Sequence, residues 1–362
     1  MSGGKRWLPL RSTVKVMGRT LWNKERTARY LCYSASCVEF YFTGRSLACE
    51  MASDFDPVRD VGYECFMGLF VEGRLVRRFT LRGGRHRYAL LENGNWVRAR
   101  VRLMKLTEEQ YASAGLCALV TEEEAVISPV PDAQRRIVFI GDSITCGYGV
   151  LGADGEPFTT QTQDASQAYA ALCAERLGAD YELVSYSGIG VISRYVEPDA
   201  GEPLTDVLMP RIYPYTDAGL CERNGWEMVR WDFTGFRPQI IVVNLGTNDA
   251  SYTRGMPERE ARFAEAYRAF LRSVAQRSPG AAVVVSYGVM EQSLLSCERE
   301  ICRELDEEAR EAQGALGTRF FFHEEEPMRP EDGAGCVGHP SLRTQRKLAE
   351  DLAHFLQKTT GV

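Results

Sequence analysis

Four short polar blocks in this 362-residue chain carry residue types suited to acyl transfer. The first is "GDSITCGYG", residues 141–149, where a buried-looking apolar run, "RIVFI", ends on Gly-Asp-Ser. Ser143 there can act as a nucleophile if a base takes its proton. The second is "SYSGIGV", residues 185–191, in which Gly190 offers an unhindered backbone N–H. The third is "NLGTND", residues 244–249, where Asn248 supplies a short neutral donor of the kind a developing oxyanion needs. The fourth is "GHPS", residues 338–341. Its His339 has the near-neutral pKa of a general base. Among the chain's four histidines it alone lies in a glycine-rich loop. Of the others, His86 falls in a β region, His323 ends a strand-like run and His354 falls within a helix.

Each block also has a purely structural reading. Ser143 can cap a helix, Asn248 and Asp249 can form a turn, and Gly190 can be a plain loop glycine. All four together, in this order and each beyond a strand, point instead to a serine hydrolase site.

The elements that must position them follow from periodicity. From residue 12 to about 125 the chain reads as β-structure. Segments such as "SCVEFYFTG" and "WVRARVRLMKLT" are separated by turn residues at about ten-residue intervals, as in a sandwich or jelly roll. "ISPVPDAQRR", residues 127–136, reads as a linker and sets the domains at 1–127 and 128–362. Beyond it, strands alternate with helices. "RIVFIGDS", "YELVSYSGIGV", "PQIIVVNLGTNDAS", "AAVVVSYGV" and "TRFFFHEEE" read as strands. "DASQAYAALCAERLGAD" (capped by Asp164 or Ser166), "PEREARFAEAYRAFLRSVAQRS", "CEREICRELDEEAREAQG" and "SLRTQRKLAEDLAHFLQKT" read as helices. This order predicts an α/β fold with a parallel sheet covered on both faces. Ligands in such folds bind beyond the carboxyl ends of the strands, where the four blocks fall.

Composition narrows the function class. A net charge of −6 argues against a nucleic-acid surface. The short basic runs "VRRF" and "RGGRHR" read as solvated strand faces and turns. No run approaches the roughly 18 apolar residues of a membrane span. Eleven cysteines without Cys-x-x-Cys or metal-ligand spacing, and no secretory h-region, point to a cytoplasmic protein without a metal.

The four blocks resemble those of the SGNH (GDSL-type) hydrolase superfamily over residues 135–360. A fuller resemblance, over nearly the whole chain, is to carbohydrate esterase family 2, carried also by "SCVEFYFTGRSL", "MPRIYPYT", "WDFTGFRPQIIVVNLGTND" and "DGAGCVGHPS". It implies a flavodoxin-like three-layer sandwich preceded by an all-β jelly-roll domain. It also implies a serine esterase that removes O-acetyl groups from xylan, mannan or their oligosaccharides, needing no cofactor. Carried over by motif, Ser143 is the nucleophile and His339 the base. The N–H groups of Ser143 and Gly190 and the side chain of Asn248 form the oxyanion hole. Asp142 and Asp249 take structural roles.

One position departs from the superfamily. Three residues before the histidine, many members carry an aspartate; here it is Cys336, followed by Val337 and Gly338. The expectation is a Ser–His dyad whose imidazole is oriented by a backbone carbonyl of segment 336–338, with Asp332 as the alternative orienter. Sugar rings stack on aromatic faces, which makes Tyr213, Tyr215, Trp226 and Trp231 the candidate substrate contacts. Trp226 is expected in an exposed insertion and Trp231 beneath the asparagine block. The β domain, with Trp96 read as core, is expected to support the site rather than bind glycan. Two other functions fit the same residues less well: a carbohydrate-binding protein with a degenerate site, and a lipase or thioesterase. The sequence assigns no oligomeric state.

Overall fold

A computed structural model describes residues 4–311 and 317–361 of the chain. They form two compact units. The first comprises the described residues up to Asp132 together with two later segments, 159–165 and 216–229. The second comprises the remainder, from Ala133 onward.

The first unit is one ten-stranded antiparallel network. Its spine is a pair of long strands, Cys37–Ser53 and Gly84–Lys105, paired from Cys37 opposite Met104 to Ser53 opposite Gly84 with register shifts between Gly44 and Ser46 and between Leu47 and Ala48. Alternation decides what each face buries. Val38, Phe40 and Phe42 enter the core, and Glu39 on the other face is bridged by Arg100 and Arg102. The predicted boundary at 127 falls inside the strand Val126–Pro129, which pairs with Cys37–Ser53, so the first unit runs on to Asp132. Two other expectations change. Arg78 of "VRRF" is no solvated side chain: it donates to the carbonyls of Gln161 (2.8 Å) and Gln163 (2.6 Å), fastening one of the later segments to the strand Arg74–Thr80. Trp96 is not core; it is 46% exposed, with the Arg45 guanidinium 5.6 Å from its ring centre.

The second unit is the α/β fold. Five parallel strands lie in the order Asp180–Ser185, Arg136–Gly141, Ile240–Asn244, Ala282–Tyr287, Phe320–Glu324. Numbered along the chain this is 2-1-3-4-5, the flavodoxin-like order. Arg136–Gly141, Ile240–Asn244 and Ala282–Tyr287 are nearly continuous apolar runs, as burial on both faces requires. The helix Tyr169–Arg176 packs on Leu342–Thr360, and Pro257–Arg277 packs on Leu295–Glu311. The predicted helix from residue 164 is shorter than expected. Ala165–Gln167 forms a 3-10 turn, and the α-helix starts at Tyr169, whose N–H goes to the Gln345 side chain (2.7 Å) rather than to Asp164 or Ser166. The last residues of "CEREICRELDEEAREAQG", from 312 on, lie outside the described residues. No helix among those described is long and apolar enough to cross a membrane, and no group of three His, Cys, Asp or Glu side chains there is placed to hold a metal.

The strand order locates the site. Direction of winding reverses between Asp180–Ser185 and Ile240–Asn244, which flank Arg136–Gly141. The crevice of such a sheet opens at this switch point, and the Ser143, Gly190 and Asn248 blocks leave the sheet from these three strands.

Candidate active site

Ser143 opens a single helical turn, Ser143–Cys146. Asp142 is its cap, accepting from the Ile144 N–H at 3.0 Å. As the first helical residue, Ser143 has a backbone N–H with no acceptor among the described residues, which leaves it pointed at whatever sits above the turn. Asp142 is fully buried, and burial pushes its carboxyl up to about 7, against the Ile144 N–H, which lowers it.

Gly190 and Asn248 are joined through Asp249. This carboxylate accepts from the N–H groups of Val191 (2.9 Å), Ile192 (2.7 Å) and Ser193 (3.1 Å) and so folds the segment after Gly190 into a tight arch. A Cβ at Gly190 would stand 2.1 Å from the Ser193 carbonyl and 2.6 Å from Asp249, so only glycine fits. The Gly190 N–H has no acceptor among the described residues. Burial pushes Asp249 up to about 6, with the three N–H donors acting against it. Asn248 departs from the simple expectation. Its amide nitrogen donates to the Ile189 carbonyl (2.8 Å) and to Asp142 (3.2 Å), so both amide hydrogens have protein acceptors. It reaches an oxyanion only by sharing the hydrogen now on Asp142.

His339 is carried by the loop before the helix Leu342–Thr360, which Ser341 caps by accepting from Thr344 N–H. Two glycines let this loop reach the serine block. A Cβ on Gly149, at φ +62°, would stand 2.6 Å from the Cys336 Cβ, and a Cβ on Gly335 would stand 2.4 Å from the Gly149 carbonyl. The Cys336 N–H donates to that carbonyl at 3.0 Å, pinning the two segments together.

The result brings His339 Nε2 to 2.8 Å from Ser143 Oγ, across 196 positions of sequence. His339 Nδ1 lies 3.2 Å from the carbonyl oxygens of both Cys336 and Val337. Carbonyls only accept, so Nδ1 carries the hydrogen and Nε2 is the acceptor for the Ser143 hydroxyl. Val337 holds its carbonyl there from a left-handed conformation, φ +53°, with its side chain exposed. A β-branched residue adopts this only under constraint from its surroundings. Asp332, the alternative orienter, is taken by Lys347 (2.5 Å) and Arg343 (2.9 Å). Burial lowers the His339 pKa, and the two carbonyl contacts raise it in part.

A family model described as "GDSL-like Lipase/Acylhydrolase family" matches residues 139–347. The chain belongs to that family. A second model, "Carbohydrate esterase 2 N-terminal", matches residues 16–131. The chain is 30% identical over 276 residues to an "Acetylxylan esterase / glucomannan deacetylase" of Cellvibrio japonicus, covering 73% of this chain and 70% of that protein. It is 32% identical over 230 residues to "Cellulase/esterase CelE" of Acetivibrio thermocellus; this match covers 63% of the chain and only 26% of that longer protein. Among solved structures, a family two carbohydrate esterase from Clostridium thermocellum in complex with cellohexaose superposes with a TM-score of 0.80 at 27% identity, covering 96% of this chain and 99% of that one.

The four candidate aromatics divide. Tyr213 is buried and packs against Phe233 (5.3 Å) and Phe270 (5.8 Å), leaving no face for a sugar. Trp226 belongs to the first unit and packs edge-on against Tyr30 at 5.1 Å. Tyr215 and Trp231 are half-buried. Tyr215 carries Arg230 5.0 Å from its ring, and Trp231 is tied by its backbone N–H to the Pro214 carbonyl (3.0 Å). The aromatic that does touch the site was not singled out from sequence: Tyr148, whose ring centre is 4.4 Å from that of His339. Its signal was its place inside the serine block itself, between Gly147 and Gly149.

Proposed function

We propose that this protein is a carbohydrate O-acetyl esterase acting on acetylated xylo- or manno-oligosaccharides through a Ser143–His339 dyad. The observation that carries this reading is the 2.8 Å contact from Ser143 Oγ to His339 Nε2, with Nδ1 held by two carbonyls. His339 takes the Ser143 proton as Oγ attacks the acetyl carbonyl. The N–H groups of Ser143 and Gly190 receive the oxyanion, joined by Asn248 when its amide turns from Asp142. His339 returns the proton to the departing sugar oxygen, and water then releases acetate from the acetyl-serine by the same steps. A carboxylate fixes the imidazole tautomer in a triad, and losing it costs about 10⁴ in kcat. The carbonyls of Cys336 and Val337 select the same tautomer, so a dyad suffices here.

Acetylated glycan is favoured as substrate because the named relatives are carbohydrate esterases along most of this chain, including the β unit. The test is an NMR time course of acetate release from acetylated xylo- and manno-oligosaccharides, with Ser143→Ala as control. No release from either glycan alongside hydrolysis that grows with acyl-chain length would replace this reading with a lipase.

A reducing compartment, the cytoplasm, is part of the proposal. All eleven cysteines are free and ten of them are buried. Recovery of the native protein outside the cell would overturn it.

A further inference from the structure

The imidazole of His339 is held at both nitrogens, by Ser143 on one edge and two carbonyls on the other. Carbonyl contacts of 3.2 Å fix the tautomer but lie at the long end of the N–H···O range, so a further contact can still tighten the orientation of the ring. One face of the ring is covered. Tyr148 lies against it at 4.4 Å between ring centres, tilted by 37°. Tyr148 is in turn stacked on Phe158 at 3.6 Å and only 9° from parallel. The tyrosine is thus backed by a second ring and flanked by Gly147 and Gly149, both at positive φ, which bend the backbone around it.

We propose that Tyr148 is a positioning residue for His339, doing part of what a carboxylate does in a triad. This rests on the assignment of His339 as the base. Two physical effects support it. Contact with a backed aromatic face restricts rotation of the imidazole, keeping Nε2 in line with Ser143 Oγ. When the serine proton moves to Nε2, the ring becomes a cation, and an aromatic face attracts a cation but does little for the neutral ring. The stabilisation therefore appears as the reaction proceeds, which is the condition for raising kcat rather than lowering KM. The usual strength of a partly desolvated cation–π contact corresponds to roughly 3-fold to 30-fold in rate.

The experiment compares Tyr148→Phe and Tyr148→Leu in the full chain with a small aryl acetate, whose leaving group makes no glycan contacts. Inactivation by a fluorophosphonate supplies a second readout, reporting Ser143 nucleophilicity alone. Tyr148→Phe keeps the ring and is expected to retain kcat within about 3-fold. Tyr148→Leu is expected to lower kcat and the inactivation rate together by about 10-fold, with KM within about 2-fold. Unchanged kcat in Tyr148→Leu, or a loss confined to KM, overturns the proposal, the latter making Tyr148 a substrate contact. A Phe variant as poor as the Leu variant also overturns it, in favour of the hydroxyl. If Tyr148→Leu does not fold, Phe158→Leu takes its place, removing the backing ring without touching His339, with an expected loss of about 3-fold. Failure of the dyad reading itself is distinguishable: Ser143→Ala would then retain activity and resist no fluorophosphonate.

Discussion

Among the described residues the second unit holds two serine–histidine pairs, and the one with the fuller set of side chains is not the one proposed as the site. Ser286 Oγ lies 2.9 Å from His323 Nδ1, and His323 Nε2 lies 2.9 Å from Asp351. Serine, histidine and aspartate are all present at hydrogen-bond distance. Yet Ser286 is fully buried within the strand Ala282–Tyr287, opposite His323 in the parallel register, and its hydroxyl donates to Glu325 (2.7 Å). The trio fastens two strands to the helix Leu342–Thr360. Ser143 and His339 lack the carboxylate but have what the other pair lacks: a place beyond the strand ends at the switch point, backbone donors without acceptors, and a partly open face. A hydrolytic site is recognised by roles and access, not by its inventory of side chains.

The largest expected effect separates the pairs outright. Ser143→Ala should lower kcat by roughly 10⁴-fold or more while leaving the melting temperature within a few degrees. A variant that keeps a tenth of the activity would mean that Ser143 is not the nucleophile. Next comes the contact that builds the exposed pair. Gly149→Ala forces a Cβ against Cys336 at positive φ, displacing the histidine loop, and should cost roughly 10- to 100-fold in kcat. The buried pair should respond in the opposite way. Ser286→Ala leaves His323 and Glu325 short of a partner in the core and should destabilise by about 1–3 kcal/mol in urea unfolding, with kcat within about 3-fold. A kcat collapse there would bring the buried trio into the mechanism.

Smaller effects sharpen the dyad. Asp332→Asn should leave kcat within about 2-fold, since its carboxylate is engaged by Lys347 and Arg343 rather than by His339. A loss approaching that of His339→Ala would restore a triad. Finally, burial lowers the His339 pKa. The neutral, proton-accepting form then persists to more acidic pH, and the acid limb of kcat/KM should fall below the ordinary histidine value of about 6.5. A limb above it would show that the resting site stabilises the imidazolium.

Much of this was legible from sequence, because the deciding signals are local. Apolar runs ending on glycine and a polar residue mark strands that deliver side chains to a sheet edge. Three such blocks pointed to Ser143, Gly190 and Asn248, a glycine-rich loop before the last helix pointed to His339, and the missing acid at Cys336 pointed to a carbonyl in segment 336–338. What was not legible depends on packing. Tyr213 and Trp226 look alike as aromatics near loops, but one faces Phe270 of a neighbouring helix and the other Tyr30 of the β unit. Trp96 reads as core by its strand and stands 46% exposed. The segments 159–165 and 216–229 join the first unit through pairings no periodicity reveals.

The sequence by itself determined the order of strands and helices and the residue types at the strand ends, since these follow from period, propensity and turn chemistry within short windows. Only the tertiary structure decided how those ends are used. It set the left-handed Val337 that turns a carbonyl toward His339, gave both Asn248 amide hydrogens acceptors, and stacked Tyr148 between Phe158 and the imidazole. Each joins groups that neither period nor propensity links, and hydrogen bonds and ring contacts of a few ångströms form only after the chain has closed.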